Sequence, residues 1–149
     1  MIKKILFLFF IIIFFNNCGY TPIYSKKSQS FEIVEIEYFG EKKINKILSN
    51  KLKIYKNNPE AKRTFNIFIN STSTKETITK DKKGNPTQFS MSISITLKIN
   101  NEIEKTFLEN STYDNSEDKF DLRKYEDNLI RNMTETIFSE MILFLQTNS

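Results

Sequence analysis

Residues 87–100 read Thr-Gln-Phe-Ser-Met-Ser-Ile-Ser-Ile-Thr-Leu-Lys-Ile-Asn. Phe89, Met91, Ile93, Ile95, Leu97 and Ile99 alternate without a fault with Ser90, Ser92, Ser94, Thr96, Lys98 and Asn100. Successive side chains of a strand point to opposite faces, so this stretch predicts a long strand with one dry face and one wet face. A sheet of such strands needs a cover on its dry side only. The rest of the chain has to supply that cover.

Downstream, Asn100-Asn101 predicts a tight hairpin turn into a fourth strand over Glu102 to Tyr113. Upstream, Asp81-Lys82-Lys83-Gly84-Asn85-Pro86 is a turn-rich loop. It leads back to a second strand over Thr64 to Ser71, which can run on through Thr77 and Ile78. There Phe65, Ile67 and Ile69 alternate against Asn66, Phe68 and Asn70. A first strand spans Phe31 to Phe39 and ends at Gly40. Phe31 and Ile33 are in one phase and Val34, Ile36 and Tyr38 in the other, and that slip predicts a bulge.

Two segments carry helical periodicity. In Lys42 to Tyr55, the residues Ile44, Ile47, Leu48, Leu52 and Tyr55 recur at three- and four-residue spacing, with the lysines largely off that stripe. Asn57-Asn58-Pro59 stops it. From about Phe120 to Leu145, the residues Leu122, Tyr125, Leu129, Met133, Ile137, Met141 and Phe144 form a second apolar stripe. Ser116 or Asp118 is placed to cap it. The order is strand, helix, three strands, long helix. Two amphipathic helices need one dry surface, so the expected fold is an α+β two-layer sandwich, with two helices packed on one face of a roughly four-stranded sheet.

The first residues do not belong to that domain. Lys3 and Lys4 precede an unbroken apolar run from Ile5 to Phe15. A bilayer-spanning helix needs about 20 apolar residues, so the run is too short for a stable span and has the form of a secretory signal. Residues 1–17 are therefore expected to be a signal peptide, residues 18–30 a lipidated cysteine and polar tether, and residues 31–149 the folded domain. The chain has one cysteine, Cys18, directly after the signal. An internal disulfide is impossible, and lipid attachment at Cys18 explains both its solitude and its position. Asn17 before it and Phe15 depart from the small residue and leucine usual at such a site. Several acyl chains on one residue give durable membrane anchoring where one is marginal.

The chemistry of the chain excludes much. There is no histidine, and three glycines are too few for a phosphate-cradling loop. Serines and threonines abound without a base to activate one, so no catalytic residue and no cofactor are expected. Asp114, Glu117, Asp118 and Asp121 cluster, but their spacing is not that of a calcium loop and helix capping accounts for them, so no metal is expected. The formal charge is +4, and removing residues 1–17 leaves +2. A domain so near neutrality is no trap for nucleic acid.

Cys18-Gly19-Tyr20-Thr21-Pro22-Ile23-Tyr24 resembles the Cys-Gly-aromatic-x-Pro-hydrophobic-Tyr opening of the LPS-assembly lipoprotein family, LptE. The order of elements after it is similar as well. The resemblance implies an outer-membrane lipoprotein that plugs a large β-barrel, the LPS-assembly protein. It also implies a part in delivering lipopolysaccharide to the outer leaflet, with the small partner helping the barrel to assemble. Its partners would be that barrel, lipopolysaccharide, and the membrane through the lipid anchor. A polar lumen suits a plug whose strands expose Asn66, Asn70, Ser90, Ser92, Ser94 and Thr96. Lipopolysaccharide carries phosphates that lysines on a loop can meet as point charges, and the candidates are Lys75, Lys80, Lys82 and Lys83. The alternative is a freestanding envelope lipoprotein with a structural or scaffold role. An ordinary solvated turn would account equally well for the lysines.

Overall fold

The computed structural model describes residues 31–148. The signal, the cysteine and the tether expected in residues 1–30 lie outside the described residues. Strand β1 spans Phe31–Gly40, helix α1 Lys42–Leu52, strand β2 Arg63–Lys80, strand β3 Pro86–Ile99, strand β4 Ile103–Asp114 and helix α2 Lys119–Thr147. The sheet order is β1-β2-β3-β4, with β1 parallel to β2 and the other pairs antiparallel. Both helices cover one face. The architecture is the expected α+β two-layer sandwich.

Strand β3 is its spine. Met91, Ile93, Ile95, Leu97 and Ile99 are all buried against the helices, while the serines and Thr96 between them are only partly covered. Each such apolar side chain contributes on the order of 2 kcal/mol by leaving water. The helices meet the strands through Ile44, Leu48 and Leu52 of α1 and Ile137, Met141, Ile142 and Leu145 of α2. The slip at Val34 is a real bulge: the register against β2 shifts between Ile33 and Glu35. It leaves Val34 exposed and returns Ile36 and Tyr38 to the core side.

Three details depart from the expected pattern. The last turn of the first helix tightens to a 3-10 turn over Lys53–Tyr55, which swings Tyr55 onto Phe31 with stacked rings 5.3 Å apart. Strand β2 takes up the expected extension past Ser71 and carries it beyond Ile78 to Lys80. Its second half carries hydroxyls and charges on both faces, and its regularity comes from the ladder with β3. Tyr125, placed in the apolar stripe of α2, is half-exposed, so that stripe is interrupted there between Leu122 and the partly buried Leu129.

The corner between β1 and α1 is built without slack. Gly40 has φ +85°, and a Cβ there would sit 1.9 Å from the carbonyl oxygen of Ser71, so only glycine fits. Ser71 is fully buried. Its hydroxyl donates to Asn45 Oδ1 at 2.8 Å, and Asn45 Nδ2 donates to the Phe39 carbonyl at 2.9 Å. The backbone N–H of Glu41 donates to the Ser71 carbonyl at 3.0 Å. A buried polar group must find partners; two of these bonds supply those of Ser71, and the third holds Asn45 in place. At the start of α2, Asp118 rather than Ser116 is the cap, accepting from the N–H groups of Phe120 and Asp121 at 2.8 and 3.1 Å.

Candidate functional site

The β2–β3 hairpin places Lys80, Lys82 and Lys83 at one end of the molecule. From Arg63 to Lys80, β2 extends roughly 55 Å at about 3.3 Å per residue, so this tip lies at the opposite end from Phe31, which pairs with Arg63. Asp81 organises the turn. Its carboxylate accepts from the backbone N–H groups of Lys83 and Asn85, each at 2.8 Å, and from Asn85 Nδ2 at 2.9 Å. The Asn85 bonds hold the Asp81 carboxyl below its ordinary value. Gly84, at φ +86°, completes the turn in open space. Three exposed lysines thus flank, along the chain, one carboxylate that is occupied by its own loop.

Lys75 is not with them. The alternation of β2 puts it on the helix-facing side, where its Nζ lies 2.5 Å from Glu126 Oε1 on α2 and 3.9 Å from the centre of the Phe89 ring. Tyr113 donates its hydroxyl to the same Glu126 oxygen at 2.7 Å. Burial and then the bond to Glu126 raise the pKa of Tyr113, so it remains a donor throughout the neutral range. Burial pushes Glu126 up, but the hydrogen bonds from Lys75 and Tyr113 outweigh it, and the net shift is downward. Lys75, Glu126 and Tyr113 form a clamp between the sheet and the first turns of α2. Hydroxyls and charges stand on both faces of the stretch 71–77, so spacing alone does not separate Lys75 from the loop; the register against β3 does.

The face of the sheet away from the helices is open. Asn66, Asn70, Ser90, Ser92, Ser94 and Thr96 all lie on it, tied in part by cross-strand bonds from Ser92 to Asn110 at 2.5 Å and between Thr96 and Thr106 at 2.9 Å. Its charge is one-sided. Glu32, Glu35, Glu37, Glu76, Glu104 and Asp114 fall on this face against Lys98 alone. Phe39 and Phe68 stack on it with ring centres 4.8 Å apart. The residue spacing gave no sign of that aromatic pair, because its members come from two strands. Beside it a groove of about 370 Å³ is lined by Glu35, Glu37, Phe68, Lys98, Asn100 and Asn101. A second groove of about 730 Å³ lies between the end of β4 and α2, with Tyr113, Leu122 and Tyr125 on its walls.

Among the described residues, no three His, Cys, Asp or Glu side chains are grouped to hold a metal ion. No described helix is long and apolar enough to cross a membrane. What the arrangement offers is surface: an acidic, hydroxyl-rich sheet face, a lysine tip, and a helix layer behind.

No family model matches the sequence, and no curated protein does. Solved structures do resemble the fold. Rare lipoprotein B from Shewanella oneidensis superposes with a TM-score of 0.51 at 9% identity, covering 76% of this chain and 97% of that one. A minor lipoprotein from Acinetobacter baumannii gives 0.49 at 9% identity, over 80% and 92% of the two chains. Lipoprotein B from Nitrosomonas europaea gives 0.46 at 12% identity, over 77% and 84%. The likeness to the Shewanella protein spans almost its whole length. The chain therefore carries the fold of rare lipoprotein B, the LptE-type fold that its opening motif leads one to expect.

Proposed function

We propose that this chain is a non-catalytic lipoprotein of the outer membrane. It is anchored through Cys18, plugs and helps assemble the large LPS-assembly β-barrel, and takes part in carrying lipopolysaccharide to the outer leaflet. The observation that carries the reading is the conjunction of the Cys18–Tyr24 opening with the rare lipoprotein B fold. Residues 1–17 act as the signal, and residues 18–30 tether the domain to the bilayer.

The surfaces support this division of labour. A polar barrel lumen accepts an amide- and hydroxyl-rich wall such as the open sheet face. Its acids disfavour phosphates, so the phosphate-bearing part of lipopolysaccharide is directed to Lys80, Lys82 and Lys83 at the tip. Lys75, held by Glu126, is left out of that contact.

The test is recovery of the barrel. The full chain, gently extracted from its native membrane, should co-purify with one large β-barrel protein in near-equal amount, and depletion should trap lipopolysaccharide inside the cell. Recovery of the chain alone would defeat the plug reading. Cys18→Ala should move the protein from the membrane to the soluble periplasmic fraction. Replacing Lys80, Lys82 and Lys83 together by Glu should weaken lipopolysaccharide binding and leave barrel recovery unchanged.

A further inference from the structure

Between Lys42 and Lys53 stand five lysines and no acid. The fold sorts them. Lys43 pairs with Asp127 and Lys51 with Glu135, 3.2 Å away, so the flank of α1 that faces α2 is neutralised. Lys42, Lys46 and Lys53 are left. With Ile44, Leu48 and Leu52 on the buried side, the 100° step of the helix gathers Lys42, Lys46 and Lys53, the last just past the end of α1, on the side away from the core. All three are exposed, and they span about 16 Å at 1.5 Å per residue. Beyond them Lys56 and Lys62 extend the strip, with Glu60 alone between them.

An ordinary solvated helix mixes signs, because like charges at i and i+4 repel and opposite charges there stabilise. Lys42 and Lys46 stand at that spacing with no acid on α1 to offset them. The opposite face of the molecule is lined by acids. The domain is therefore polarised at α1, with lysines on the outer face of that helix and carboxylates on the open sheet, while α2 beside it carries both signs. Such a body has a preferred orientation at a charged plane. The row is exposed and offers no arginine fork, so it does not select a single bidentate anion. It suits a plane of many fixed negative charges. Ile54, 40% exposed beside Lys53, adds an apolar contact at that plane. The row also ends where the chain enters the domain, since Tyr55 stacks on Phe31.

We infer that the outer face of α1 and of the 3-10 turn that continues it, through Lys42, Lys46 and Lys53, docks on the anionic head groups of a phospholipid bilayer and sets which side of the domain faces the membrane. This does not rest on the plug reading, which assigns work to the sheet face and the tip rather than to α1. A phospholipid surface attracts each nearby lysine enough that three acting together hold a face in place.

The experiment is site-resolved lysine labelling. The full chain is reconstituted by detergent removal into vesicles of phosphatidylcholine alone or of phosphatidylcholine with phosphatidylglycerol. A water-soluble acetylating reagent is added, and each lysine is read by mass spectrometry. Lys42, Lys46 and Lys53 should react about threefold or more slowly in the anionic vesicles, while Lys80, Lys82 and Lys83 keep their rates. Salt at about 0.5 M, where screening acts within roughly 4 Å, should erase the difference. Equal rates in the two vesicles, protection of the tip lysines in place of the α1 row, or protection that survives the salt would each overturn the inference. Because it uses the unaltered chain, no outcome can be blamed on a misfolded variant, and loss of the barrel partner would not mimic any of them.

Discussion

The two halves of β2 are one strand with one partner ladder, yet they live in different worlds. From Phe65 to Ser71 every second residue is buried beneath the helices. From Ser73 to Lys80 no residue is buried, although the pairing with β3 continues to Pro86. Hydrogen bonding is thus common to both halves, and what differs is the helix layer. The near half is held by burial, and the far half is a hairpin held by its ladder, its Asp81 turn and the clamp to α2. Stability is expected to be correspondingly uneven.

The sharpest way to break the near half is at its corner. Gly40→Ala combines a positive φ with a clash against the Ser71 backbone, and should cost on the order of 4 kcal/mol in urea unfolding followed by circular dichroism. Removing bulk from the near half of β2 itself comes next. Ile69→Ala, at a fully buried site, should cost roughly 3 kcal/mol. The clamp is smaller. Lys75 is 39% exposed, so solvent screens the pair, and Glu126→Gln should cost at most about 1 kcal/mol. Its clearer reading is amide hydrogen exchange, which should quicken over residues 119–126 while that of α1 stays unchanged.

Acid should act in the same place. The folded Glu126 titrates below its ordinary value of 4.5. Its contribution is therefore complete above about pH 4.5 and lost as the pH falls through the lower, folded value. Protection of the first turns of α2 should fade in that acid window, and Glu126→Gln should abolish the effect. The smallest change is expected in the far half. Ile78→Ala, at a 47% exposed position, should shift stability by less than about 0.5 kcal/mol. A loss there as large as at Ile69 would refute the contrast between the halves.

The same contrast explains what could be read from the residues in advance. The alternation in 87–100 announced β3, and the slip at Val34 announced the bulge, because apolar residues mark their own face. Past Ser71 both faces of β2 are polar, so the pattern that would have marked its full length is silent, and Lys75 was grouped with the loop lysines that follow it. Ser71 itself gives no hint of burial. Its place is dictated by Gly40 and Asn45, which are distant in sequence. Tyr125 satisfies helical spacing but lies half-exposed against the Tyr113 ring, while Leu122 before it and Leu129 after it reach the core. The sheet face could be assigned from alternation, but its one-sided charge and the Phe39–Phe68 stack required the register between strands.

The parallel pairing of β1 with β2 has a consequence for the order of assembly. Strands β2, β3 and β4 follow one another through short turns and can zip up locally, whereas Phe31 must wait for Arg63 and for the whole of α1 between them. Non-local closure of this kind is slow. The amino-terminal strand, first to be synthesised, is then among the last to be locked, and until that moment the edge of β2 it will occupy stands open to any other extended chain.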